Sequence, residues 1–238
     1  MKQVLGFFDE IRIINLPERT DRRRAVESEL AALGLQELPG NMRFFDALRP
    51  PARTAGEQGP NGALISHREL IREVLRTDAQ SLLILEDDIF FRRPGDAAVN
   101  RILDAMRRTD WDVIYLGYLE PSESDLGAEP LAEWRGRVIG GHFCGMRRPF
   151  MERILAFMDA FGVPDAEGNI LNPTHRDGAF NLFVERHPDV RRILANPCLA
   201  GQRSSRTDLH ALGLVDRLPV LRDIASLLRD IRNRLRAR

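Results

Sequence analysis

Ser81-Leu82-Leu83-Ile84-Leu85 is apolar, breaks into Glu86-Asp87-Asp88 and resumes as Ile89-Phe90-Phe91. A short continuous apolar run reads as a strand covered on both faces, and in open α/β sheets ligands gather beyond the carboxyl ends of such strands. Three anions at the end of a buried strand call for a cationic partner. On an extended segment residues i and i+2 point to one side, so Glu86 and Asp88 can converge on a hard divalent cation while Asp87 faces away. That geometry suits Mg2+ or Mn2+ bridged to a diphosphate. An acidic turn solvated by water is the plainer reading of the triplet alone.

Outward from this strand the pattern alternates. Ile11 to Leu16 reads as a first strand ended by Pro17, and Thr20 as the N-cap of a helix through Val26, Leu30 and Leu33 that stops at Gly34. Met42 to Phe45 reads as a short strand, and Arg49 to Gly62 as a Pro- and Gly-rich loop. Leu64, Leu70, Ile71, Val74 and Leu75 recur at helical spacing, with Ser66 and Glu69 fitting a capping box and His67 on the polar edge. Val99, Ile102, Leu103 and Met106 mark another helix and Trp111 to Gly117 another buried strand. Such alternation argues for an α/β fold with a mixed, mostly parallel sheet flanked by helices.

Glu120 to Trp134 reads as a polar loop, and Gly140, Gly141 and Gly145 within Val138 to Met146 suggest a backbone approached closely by other groups. Phe150, Ile154, Leu155 and Met158 form one helical face; Pro164 to Pro173 is a loop and Asp177 to Glu185 a short helix. From Pro219 a stripe of Val220, Leu221, Ile224, Leu227, Leu228, Ile231 and Leu235 is opposed by arginines. The chain therefore divides into one domain over residues 1–215 and a basic amphipathic helix over 216–238. That helix fits either docking on its own domain or peripheral association with an anionic membrane surface.

The 238 residues carry 35 basic and 35 acidic side chains, so no global field draws the protein to nucleic acid. Lys2 is the only lysine, which removes a Walker-type lysine and a lysine Schiff base. Phosphate must be held by arginine, backbone amides or metal. Cys144 and Cys198 lie far apart without a CxxC pair, which indicates neither a disulfide framework nor a cysteine zinc site and points to core residues. With no signal-like apolar leader in the sequence, a cytoplasmic location is the expectation, at the inner face of the membrane if the last helix binds lipid. In the loop after the first strand, Arg19 and Arg22 suit bidentate contacts to a nucleotide diphosphate, and Asn15 suits the amide-like edge of a uracil.

Several separated segments, in order, resemble glycosyltransferase family 25, the bacterial lipopolysaccharide glycosyltransferases related to the collagen galactosyltransferases. They are Ile14-Asn15-Leu16-Pro17-Glu18-Arg19-Thr20-Asp21-Arg22, Phe45-Asp46-Ala47, Gly62-Ala63-Leu64-Ile65-Ser66-His67, Leu83 to Asp88, and Trp111 to Gly117. Asp177 with Phe180 and Phe183, and Pro197 through Gln202 and Ser205 to Asp208, follow. The resemblance covers roughly residues 11 to 210 and departs from the family at Gly140 to Met146. It implies a GT-A type fold and inverting transfer of galactose or glucose from a UDP-hexose donor to a glycan or glycolipid acceptor, with Mn2+ or Mg2+.

Carried over position by position, it implies that Asn15, Leu16, Arg19, Arg22, Ser66, His67, Asp87 and Gln202 line the donor. Glu86, Asp88, Asp208 and His210 would then serve the metal, with Asp177 as general base and Glu86 also catalytic. Two alternatives stay open: another metal-dependent nucleotide enzyme such as a nucleotidyltransferase, and a sugar-binding protein of the same fold without turnover. The first would be favoured by a glycine-rich phosphate loop after the first strand, where Leu16 to Thr20 has no glycine.

Overall fold

A computed structural model of the chain describes residues 1–49, 62–163, 168, 171, 173 and 175–203. Residues 50–61 of the loop expected from Arg49 to Gly62, most of that from Pro164 to Pro173, the helix from Pro219, Asp208 and His210 lie outside the described residues. After a short helix α1 (Lys2–Leu5) come β1 (Glu10–Asn15), α2 (Thr20–Ala32), β2 (Met42–Asp46), α3 (Gly62–Val74), β3 (Ser81–Glu86) and β4 (Ile89–Phe91). Then follow α4 (Asp96–Arg108), β5 (Val113–Gly117), β6 (Leu131–Glu133), β7 (Phe143–Arg147), α5 (Arg148–Asp159), α6 (Arg176–Arg186), β8 (Arg192–Ala195) and β9 (Ala200–Gln202).

The sheet runs β2-β1-β3-β7-β5-β8-β6, with β4 paired to β9 and β9 also to β5. β2, β1, β3, β5 and β8 point one way, whereas β7 and β6 run against them. This is the mixed, mostly parallel sheet flanked by helices that the alternating pattern predicts. Strand periodicity divides the core between its two faces. Leu82 and Ile84 of β3, with Val113 and Tyr115 of β5, join the cluster that contains α3, α5 and α6 side chains; Leu83 and Leu85, with Ile114 and Leu116, join the one built on α1, α2 and α4. The apolar stripe of α4 is buried at Val99, Ile102, Leu103 and Met106, and its first-turn Asp96 and last-turn Arg107 and Arg108 complement the helix dipole.

Three local expectations are corrected. Thr20 is the first residue of α2 rather than its cap, which is Arg19. Ser66 and Glu69 form no capping box, because α3 begins at Gly62 and places both in its interior; Ser66 Oγ donates to the Gly62 carbonyl at 2.6 Å and accepts the Leu48 N–H at 2.8 Å. Glu69 instead pairs with Arg72 at 2.5 Å. His67 is not on a polar edge but 1% exposed, since that side of α3 faces the sheet. The stretch from Glu120 to Trp134 also holds a 3-10 turn at Glu123–Leu126 and the edge strand β6.

Topology fixes where chemistry can assemble. The C-terminal ends of β1, β3 and β5 bring Asn15, Glu86 and Gly117 to one edge. Because β7 is antiparallel, its start lies at that same edge, so His142 and Gly141 arrive there too, with the Glu86 N–H donating to the His142 carbonyl at 3.0 Å. The β4–β9 pair extends beyond β5 and carries Gln202 opposite Ile89.

Candidate functional site

The acidic turn is held residue by residue. Asp87 has both oxygens filled: Oδ2 accepts from Asn15 Nδ2 and Oδ1 from Arg22 Nη1, each at 2.8 Å. It ties the turn to the end of β1 and the first turn of α2. Asp88 turns the other way, toward β9, where Oδ2 accepts from Gln202 Nε2 at 2.8 Å and the backbone carbonyl accepts from the Arg203 N–H at 2.7 Å. Its Oδ1 is buried and has no hydrogen-bond partner among the described residues.

Glu86 ends β3 with its side chain about a quarter exposed, 27%, and its Oε1 lies 3.9 Å from His67 Nε2. Burial first, and then the neighbouring Asp88 carboxylate, raise the Glu86 pKa well above the usual carboxylate range. Burial also raises Asp88, opposed by the Gln202 hydrogen bond and the Arg22 charge. Neither carboxylate is hydrogen-bonded to an arginine side chain among the described residues. His67 is pushed down to about 3 by burial and by the charge of Arg176. A neutral imidazole donating from Nδ1 to the Ala63 carbonyl, 2.8 Å away, turns a lone pair at Nε2 toward Glu86. That nitrogen is buried and without a hydrogen-bond partner among the described residues.

A second arm enters from α6. Arg176 is 3% exposed, its guanidinium 4.3 Å from the Phe180 ring centre and 5.4 Å from that of Tyr115. Its Nη1 donates to Asp177 Oδ1 at 3.0 Å, and Asp177 Oδ2 accepts the Gly140 N–H at 2.9 Å. Burial disfavours the Asp177 charge, but Arg176 and the Gly140 N–H outweigh it and hold the pKa below the ordinary value. Asp177 is therefore ionised, with a third of its side chain, 33%, exposed.

The structure thus brings together two hydrogen-bonded sets, Asn15 and Arg22 on Asp87 and Gln202 on Asp88, joined through the 87–88 peptide, with Glu86, His67 and Asp177 beside them. Asn15 Nδ2 is directed at Asp87 and, at 3.3 Å, at the Arg19 carbonyl. Arg19 pairs with Asp21 at 2.9 Å, Leu16 accepts the Arg19 N–H in the turn after β1, and Ser66 bonds to backbone. Arg176 and His142 are site residues that the sequence reading did not single out. The Gly140-Gly141 pair was the available signal for Arg176, because a Cβ on Gly141 would stand 1.4 Å from Arg176 Nη1. Cys144 and Cys198 are buried and unpaired, as core residues.

Among the described residues no group of three His, Cys, Asp or Glu side chains is placed to hold a metal alone. The residues present nevertheless fit a magnesium-like ion shared with a ligand, which keeps only one or two protein carboxylates. Asp88 Oδ1 is an orphaned buried acceptor, and Glu86 lies next to it with no strong donor.

The fold and site define an α/β sheet protein with a carboxylate cluster at the edge where the parallel strands end. Its curated homologues are procollagen galactosyltransferases and members of glycosyltransferase family 25. Procollagen galactosyltransferase 2 of Homo sapiens is 30% identical over 135 residues, 46% of this chain and 21% of that protein. Inactive glycosyltransferase 25 family member 3, also of Homo sapiens, is 26% identical over 155 residues, 57% of this chain and 26% of that protein. The matched part of the chain spans about a fifth to a quarter of these relatives' length. No family model matches the chain. A solved glycosyltransferase involved in glycosylation of the major capsid of PBCV-1 aligns over 83% of this chain and 94% of its own, with 11% identity and a TM-score of 0.45. Among the described residues no helix is long and apolar enough to cross a membrane.

Proposed function

We propose that this chain is a metal-dependent inverting glycosyltransferase that moves a galactose or glucose from a UDP-hexose to a hydroxyl of a glycan or glycolipid, such as lipopolysaccharide. The observation that carries the reading is a set of acceptors without donors at one strand end. Asp88 Oδ1 and His67 Nε2 are buried and have no hydrogen-bond partner among the described residues, and the Glu86 pKa is raised by burial and by a second carboxylate. Such a set costs stability unless a proton or cation enters it. The similarity to galactosyltransferases over about half of the chain supports a nucleotide-sugar donor.

In this reading Glu86 and Asp88 hold Mn2+ or Mg2+. A bound divalent ion would neutralise the leaving diphosphate as a Lewis acid. Gln202 keeps Asp88 oriented with Oδ1 forward, and Asp87 keeps the turn docked on Asn15 and Arg22. Asp177, ionised and partly exposed, accepts the proton of the attacking hydroxyl, since each of its oxygens retains a lone pair beyond the Arg176 and Gly140 bonds.

A second reading is a sugar-nucleotide binding protein without turnover. The inactive human relative favours it. One experiment tests both: calorimetric titration of uridine nucleotides and UDP-hexoses with Mn2+ or EDTA against wild type and Asp88→Ala, followed by assay of UDP release. Metal-dependent binding lost in Asp88→Ala, with UDP released, is the expected result. Binding without release identifies the second reading, and no uridine nucleotide binding by folded protein overturns both.

A further inference from the structure

We infer that Arg176 is a positioning residue for Asp177, and that Gly141 is required as glycine because it vacates the volume the guanidinium fills. The inference rests on the transferase reading above. Four observations converge. The guanidinium lies between the Phe180 and Tyr115 rings, so aromatic faces limit its movement. It donates to one Asp177 oxygen, while the other accepts from Gly140, the residue before the vacated position. A Cβ on Gly141 would lie 1.4 Å from Nη1, 2.3 Å from Cζ and 2.6 Å from Nη2, so any side chain there drives the guanidinium out. Arg176 Nε and Nη2 have no hydrogen-bond partner among the described residues, and Nη1 holds the Asp177 carboxylate as its anionic acceptor.

A hydrogen bond at each oxygen sets both the position and the rotation of the carboxylate. Proton transfer demands such placement, because displacement of a reacting group by about 1 Å can cost on the order of a hundredfold in rate. The glycine is found in the segment of β7's approach that brings Gly140 to Asp177, so backbone and side chain locate one carboxylate together.

Gly141→Ala separates positioning from folding, because the atoms it would strike are the far end of a flexible side chain. The measurements are Mn2+-dependent UDP affinity, UDP release from UDP-galactose and UDP-glucose with water as acceptor, and the crystallographic position of the Asp177 carboxylate. Wild type, Gly141→Ala, Asp177→Asn and the double variant are compared. The expected result is unchanged UDP affinity in Gly141→Ala, a displaced carboxylate, release slowed about tenfold or more, and a double variant no slower than Asp177→Asn. An unmoved carboxylate, equal rates, or additive losses in the double variant overturn the inference. Arg176→Met removes the donor to Asp177 altogether, so release at the wild-type rate in that variant overturns it as well. Failure of wild type to bind UDP with Mn2+ is seen before any substitution and overturns the transferase reading instead.

Discussion

Gln202 Nε2 donates to Asp88 Oδ2 over 2.8 Å, across 114 residues of sequence, and leaves Oδ1 without a partner among the described residues. Outer partners of this type orient a ligand, and their loss weakens metal binding by about 10- to 100-fold. Gln202→Leu keeps the volume and removes the donor. The expected result is Mn2+ affinity in the presence of UDP at least about tenfold weaker, with the fold intact by circular dichroism. Unchanged affinity would reduce Gln202 to a strand residue.

Asp87 is a strut with both oxygens committed to Asn15 and Arg22. Arg22→Ala removes one partner and leaves a nearly buried carboxylate short of a donor, so urea denaturation should show a loss of about 2 kcal/mol. Asp87→Asn with Arg22→Ala should cost less than the sum of the singles. Additive losses would place the two residues in separate networks.

These two acids show where the sequence was legible and where it was not. The apolar run before Glu86 marked β3 because strand burial follows from local backbone periodicity, whereas Asp87 and Asp88 form a turn beyond the strand, so their opposite directions come from turn geometry and not from the i, i+2 rule of an extended segment. The partners are a different matter. Gln202 reaches Asp88 through the β4–β9 pairing, and Arg176 reaches Asp177 and the Gly141 vacancy through the start of an antiparallel strand. Neither relation leaves a periodic trace. Strand β8 was missed because Arg192 interrupts its apolar pattern, although that arginine is 1% exposed and donates to Asn181 Oδ1 at 2.8 Å. His67 looked polar by type and is buried by position, since α3 turns it toward the sheet.

The Glu86 and Asp88 pKa values are raised above those of the unfolded chain. In cation-free protein their contribution to stability is complete below the ordinary carboxylate range and is lost as pH rises through the elevated values toward and past neutrality. A divalent cation requires both ionised and removes the penalty. The rise in melting temperature on adding Mg2+ and UDP should therefore be larger at about pH 8 than at about pH 6. Glu86→Gln should flatten the difference; a Mg2+ effect independent of pH in wild type would count against these two acids as ligands.

His142 behaves in the opposite sense. Burial lowers its pKa from 6.5 to about 4, while Nε2 contacts the Ala200 carbonyl at 3.2 Å. The unfolded chain takes up a proton that the folded state refuses, so this stability is present above 6.5 and declines as pH falls toward about 4. His142→Gln, which cannot titrate, should lose less stability than wild type between those limits by urea denaturation. Parallel pH curves for the two proteins would rule out His142 as a source of acid sensitivity.

β9 has a further consequence, in the order of assembly. The turn at 86–88 is synthesised long before Ala200–Gln202, yet among the described residues β4 finds its strand partner, and Asp88 its side-chain donor, in β9. A nascent chain that has formed β1, β2 and β3 still carries an open strand edge and an unsteadied carboxylate. Pairing of β4 and seating of the Asp88 carboxylate thus depend on the same three residues, Ala200–Gln202.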